Sequence, residues 1–119
     1  MKNQPTNESS VAIIGAGICG LTIANLLSGY SIYVVEKAKS VGGRMATRRD
    51  GNFTYDHGAQ FYRNSKGEDF LWHDRWSKKS LSQSWFENDQ GIYFCARAGM
   101  TSLAKDLAAG QNIFFEQKL

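Results

Sequence analysis

The sequence predicts an α/β fold, a parallel sheet flanked by helices with a small added β-hairpin. Three observations predict it. Unbroken apolar runs at 11–14 and 32–35 have the pattern of strands buried on both faces of a parallel sheet. A helical apolar pattern at 18–27 lies between them. Glycine, 12 of the 119 residues, gathers at 15–20, 42–43 and 51–58, where the backbone must turn or let something approach closely.

Each element follows in order. The polar start, 1–10, reads as a frayed tail without the apolar stretch of a signal peptide. Val11-Ala12-Ile13-Ile14 is the first strand and Ile18 to Leu27 the first helix, closed by Ser28-Gly29. Ile32 to Val35 is the second strand, so 11–36 forms a βαβ unit with a right-handed crossover. Residues 37–52 read as loop with one helical turn, and Asp50-Gly51 signals a turn before a short strand at Phe53-Thr54-Tyr55. An amphipathic helix is expected over 67–79. A hairpin is expected around Asn88-Asp89-Gln90-Gly91, flanked by Trp85-Phe86 and Ile92-Tyr93-Phe94. Met100 to Ala109 forms a further helix stopped by Gly110, and Ile113-Phe114-Phe115 begins a strand.

Composition bounds the function. A net charge of +3 without a repeating basic stripe argues against nucleic acid. No run of about 18 apolar residues is present to span a membrane. Cys19 and Cys95 are far apart, with no CxxC, and read as reduced thiols of a cytoplasmic protein. Two histidines and scattered acids make no zinc site.

Gly15-Ala16-Gly17-Ile18-Cys19-Gly20 fits G-x-G-x-x-G. That pattern is weak alone, but here it follows a strand, opens a helix and has an acid after the next strand. Gly15 permits the tight turn, Gly17 admits a pyrophosphate to the backbone, and Gly20 lets helix and strand pack closely. The helix start presents free N–H groups and a positive dipole end to phosphate. Glu36, 21 residues after Gly15, stands where a carboxylate accepts ribose hydroxyls and repels a 2′-phosphate. A ligand-free glycine turn is the bland alternative. The fingerprint defines a Rossmann-like dinucleotide site and by itself admits NAD or FAD.

After Glu36 and five intervening residues stands Gly42-Gly43-Arg44, continuing Met45-Ala46-Thr47-Arg48-Arg49, with Tyr55-Asp56-His57-Gly58-Ala59-Gln60-Phe61 and Gly99-Met100-Thr101-Ser102-Leu103 further on. Here the chain resembles the flavin-containing amine oxidase superfamily, in its renalase-like bacterial branch of NAD(P)/FAD-dependent oxidoreductases. The resemblance runs from residue 11 to the end, so 11–119 is expected to be the N-terminal portion of an FAD-binding domain, incomplete relative to the family and lacking the substrate domain. It implies FAD as cofactor. Gly15, Gly17, Ile18, Cys19 and Gly20 would lie against the pyrophosphate, and Glu36 on the adenosine ribose with Lys37 beside it. Gly43, Arg44 and Met45 would join the site, Arg44 reaching the phosphates or ribityl chain. Gly58, Ala59, Gln60 and Phe61 would run near the flavin ring, and Leu119 would begin an adenine-contacting strand. The turn Ser28-Gly29-Tyr30 is about two residues shorter than the family's.

The implied reaction is hydride transfer from an amine or a reduced nicotinamide-like substrate to FAD, with no catalytic residue assigned and this chain alone inactive. An NAD-binding domain is one alternative, and a non-catalytic remnant that self-associates is another, since an exposed strand at 113–115 invites a homodimer. His57 reads first as a polar loop residue and second as a flavin-tuning group. His73 reads as a packed or solvent-facing residue. Arg48 and Arg49 read as a solvated face, and Trp72, Trp76, Trp85 and Phe86 as core or interface before substrate wall.

Overall fold

A computed structural model describes residues 9–118. In chain order its elements are β1 (Ser10–Ile14), α1 (Ile18–Leu26), β2 (Ser31–Val35), a 3-10 turn (Gly43–Met45), β3 (Thr47–Asp50), β4 (Phe53–Asp56), β5 (Tyr62–Ser65), α2 (His73–Lys78), β6 (Ser82–Asn88), β7 (Gly91–Ala96), α3 (Met100–Ala108) and β8 (Asn112–Phe114). They fall into two compact units. One comprises the chain through Gly43 with the part from Ala104 onward, and the other runs from Arg44 to Leu103.

The first unit is built on a parallel sheet of order β1-β2-β8. Val11 pairs with Ile32 and Ile14 with Val35, while Val34 pairs with Ile113. Strand alternation sends Ile13, Ile32 and Val34 into the core with Leu21 and Ala24 of α1 and Leu107 of α3. The Asn25 amide crosses between the helices, donating to the carbonyls of Leu21 and Leu107. The opposite face carries Ile14, Tyr33 and Phe114 and is open, with Ile14 63% exposed. Burial of β1 on both faces, expected from its unbroken apolar run, is therefore not found, because the run does not say how many layers cover it. β1 begins at Ser10, and the Ser9 carbonyl already accepts the Ser31 N–H, so the expected tail at 1–10 reaches into the sheet at its end. The rest of that expectation, 1–8, and the role given to Leu119 lie outside the described residues.

The second unit holds an antiparallel β3-β4 pair and an antiparallel sheet of order β5-β7-β6. The pair turns at Gly51 with φ +62°, as Asp50-Gly51 signalled. The hairpin of β6 and β7 forms as expected, with a bulge between Ser84 and Phe86 that leaves Trp85 as the extra residue. β3 and β5 are additions, since Thr47-Arg48-Arg49-Asp50 and Tyr62-Arg63-Asn64-Ser65 carry no apolar run to reveal them. The helix expected over 67–79 narrows to α2, because Asn64 Oδ1 accepts the Phe70 N–H and holds that stretch as loop. α2 buries Trp76 against Tyr62 and Phe70 at ring separations of 5.3 and 5.8 Å. His73 packs on Phe94, and the Tyr62 hydroxyl lies 2.8 Å from His73 Nδ1 and 2.9 Å from Ser82 Oγ.

Candidate functional site

The dinucleotide fingerprint closes into one structure within the first unit. Gly15 takes φ +100°, which only glycine adopts cheaply, and its N–H donates to the Val35 carbonyl at the end of β2. The chain then enters α1 at Gly17, the N-cap, which has no side-chain cap. The first-turn amides are thus left to an external acceptor, and Ile18 and Cys19 stand at that opening with Cys19 exposed. A Cβ on Gly20 would lie 1.9 Å from the Gly15 carbonyl oxygen, so the helix can approach the turn only with glycine there.

Glu36 is the anchor of this turn. It is 7% exposed, its Oε1 accepts the Ala16 N–H at 2.7 Å, and its Oε2 accepts the Ala38 N–H at 2.8 Å. Each carboxylate oxygen retains a lone pair for a ribose hydroxyl. Lys37, next to it, is exposed. The second glycine motif meets the first. The Gly42 N–H donates to the Ala16 carbonyl, and a Cβ on Gly43 would come within 3.3 Å of Gly17 Cα. A Cβ on Gly17 itself meets nothing nearer than 4.0 Å, leaving a bare backbone cradle beside free helix amides. That geometry fits a pyrophosphate.

Within the second unit the remaining expected residues form their own cluster. The Ala59 N–H donates to the Arg44 carbonyl at 2.8 Å, and a Cβ on Gly58 would fall 2.0 Å from the same oxygen. Gly58 and Ala59 therefore clamp the backbone of Arg44, whose side chain is exposed, while Met45 is buried. Gln60 Nε2 reaches the Asp56 carbonyl only at 3.4 Å, and Phe61 turns to an aromatic cluster with Trp85, Phe86 and Tyr93. His57 is exposed.

Sequence reasoning missed a polar knot that joins three of the quoted stretches. Asp56 Oδ1 accepts from the Thr47 hydroxyl and from the Met100 N–H at the start of α3. The Thr47 hydroxyl accepts the Thr101 N–H, and the Thr101 hydroxyl accepts the Thr47 N–H. A Cβ on Gly99 would press on Thr47. Asp56 serves as a distant cap for α3, and the signal available beforehand was only its place beside the glycines. Among the described residues, no group of three metal-ligating side chains occurs and no helix is long and apolar enough to cross a membrane.

The parallel βαβ unit, its glycine turn and the anchoring carboxylate define a dinucleotide-binding α/β domain. A family described as "NAD(P)-binding Rossmann-like domain" matches residues 13–73, just over half of the chain. The chain belongs to that family. Among curated relatives, a 4,4'-diapophytoene desaturase (4,4'-diaponeurosporene-forming) of Staphylococcus haemolyticus is 40% identical over 50 residues, 40% of this chain and 10% of that protein. The Staphylococcus aureus protein of the same description matches to the same extent. Among solved structures, two variants of a putrescine oxidase redesigned in cofactor binding are similar at 27% and 26% identity, with TM-scores of 0.44 and 0.45. They cover 64% and 66% of this chain, which spans 17% of each. The chain thus covers a small part of the length of these relatives, and the fold class and dinucleotide cofactor expected from the sequence agree with the family match.

Proposed function

We propose that this chain is the FAD-binding portion of an amine-oxidase-like flavin oxidoreductase. One observation supports the reading: the Gly42-Gly43 turn, which the resemblance to flavin-containing amine oxidases assigns to an FAD site, packs against Ala16 and Gly17 of the glycine fingerprint. Bound there, FAD would supply the redox chemistry, hydride acceptance from an amine or a reduced nicotinamide-like substrate. The chain's own residues bind and orient. Gly15, Gly17, Ile18, Cys19 and Gly20 present backbone amides to the pyrophosphate, and Glu36, with Lys37 beside it, receives ribose hydroxyls on a carboxylate already held by two amides. The resemblance assigns Gly43, Arg44, Met45 and Gly58, Ala59, Gln60 and Phe61 to the rest of the cofactor. No side chain is assigned a proton, in keeping with hydride transfer.

The test is a visible spectrum of the purified chain after incubation with FAD and desalting. Flavin bands that stay with the protein are expected. A colourless chain that instead binds NAD in a fluorescence titration would replace this reading with an NAD-binding one, which the family description favours by name. Self-association is a second reading supported by one observation, the exposed Phe114 on β8 at an edge of the described sheet. Sedimentation at rising concentration would then show a dimer.

A further inference from the structure

The β5-β7-β6 sheet has two unlike faces. Alternation turns Tyr62 and Phe94 toward α2, where they meet Phe70, His73 and Trp76. The residues between them take the other face, and there Arg63, Tyr93 and Phe86 fall in one cross-strand row. Phe86 stacks on Tyr93 at 4.3 Å and 10°, and Phe61 meets Tyr93 edge-on at 5.0 Å. The bulge brings Trp85 to 5.1 Å from Phe86 and 6.1 Å from Phe61. Tyr93 is the buried floor, while Phe61, Trp85 and Phe86 are 43%, 53% and 42% exposed.

Arg63 gives this slab a charge. Its guanidinium carbon lies 5.9 Å from the Tyr93 ring centre, and its Nη1 donates to Gln90 Oε1. The same guanidinium draws the Tyr93 phenol below its ordinary pKa. Among the described residues of β5, β6 and β7, no Asp or Glu alternates onto this face: Glu87 pairs with Ile92 on the other side and Asp89 belongs to the turn, while Glu68, bridged to Ser65 beyond the end of β5, is the acid that borders it. Three half-exposed rings present roughly 300 Å², well below the ~800 Å² per partner of a stable protein interface. The dimensions suit a small planar molecule.

We propose that this face is a stacking platform for a planar ring system that is uncharged or anionic, and that Arg63 turns cationic amines away from it. Ring faces attract both flat π-systems and cations. Here a fixed cation already stands over the central ring, so a second is repelled and a carboxylate or phosphate on the ligand is drawn in. The inference rests on the oxidoreductase reading in one respect only, that the planar ligand is the substrate.

Benzoate and benzylamine carry one ring of the same size with opposite charges, and neither has an adenine or a phosphate. In ¹⁵N NMR titrations of the chain, benzoate is expected to shift the amides of Phe61, Arg63, Phe86 and Tyr93 and the Trp85 indole, binding about fivefold tighter than benzylamine. Arg63→Glu should reverse that order, and Arg63→Gln, which keeps a polar side chain and leaves the strands intact, should erase it. Equal binding of the two probes, a preference for benzylamine, shifts centred elsewhere or no saturable shift would overturn the proposal. Flavin retention is read separately from the visible spectrum, so loss of one reading leaves the other standing or falling on its own data.

Discussion

Gly17 and Gly20 stand three residues apart in one fingerprint, yet the space around each is opposite. Gly20 has the Gly15 carbonyl where a Cβ would go, so Gly20→Ala must push helix and turn apart, at a cost of about 1–3 kcal/mol. Gly17 has room for a Cβ and an ordinary φ of −84°. Gly17→Val should therefore keep most of its helix content, at the modest cost of a poorer N-cap residue, and lose FAD, a pairing that circular dichroism and the desalting spectrum read together. Retention of FAD by Gly17→Val would misplace the pyrophosphate. Glu36→Gln differs from both. A carboxamide replaces one oxygen with an NH₂ group that cannot accept from Ala16 or Ala38, leaving a backbone donor unpaired at about 1–3 kcal/mol. Chemical denaturation should show that loss without any cofactor present, and FAD affinity should fall further. A variant as stable as the parent would mean that Glu36 serves the ligand alone.

At the level of elements, the sequence was most readable where apolar residues recur with a period. α3 places Met100, Leu103, Ala104 and Leu107 at helical spacing, and all four are buried. Leu103→Ala should accordingly cost about 2–5 kcal/mol, measured by urea unfolding. β1, β2 and β8 were visible instead as short unbroken apolar runs, and the β6-β7 hairpin through its turn. β3 and β5 were not, because they rest on cross-strand pairing and, for β3, on the bonds of Thr47 with Asp56 and with Thr101, which no local pattern encodes. The candidate site divides the same way. The glycines and Glu36 were legible from spacing, but the tie of Glu36 to Ala16 and the clamp of Gly58 on Arg44 depend on chain segments that meet only in the fold. Tyr62 adds a pH effect at this scale. Burial lifts its phenol above the ordinary value, against the Ser82 hydrogen bond and with the Asp69 charge. A raised folded pKa means that the stabilisation is complete below the unfolded value, near pH 10, and is lost as pH rises through the folded value. The chain should lose stability in alkaline denaturation curves above about pH 10, and Tyr62→Phe should flatten that decline.

For the whole molecule, binding and folding are linked through the glycine turn. Its pieces come from β1, α1, β2 and the loop ending at Gly43, segments that are assembled only in the folded first unit. FAD held there binds the folded chain and not the unfolded one, so it should stabilise by RT ln(1 + [FAD]/Kd), about 2.7 kcal/mol at a hundredfold excess over Kd. Thermal melts at increasing FAD should climb steadily in temperature, and hydrogen exchange should slow at Gly17, Ile18, Cys19 and Gly20, whose amides are left uncapped by side chains at the start of α1. Gly17→Val supplies the control, since its melt should ignore FAD altogether. Substituting NAD for FAD separates the two dinucleotide readings in the same experiment: a larger rise with NAD would transfer the cradle to that cofactor, and no rise with either would detach the glycine turn from ligand binding in this chain.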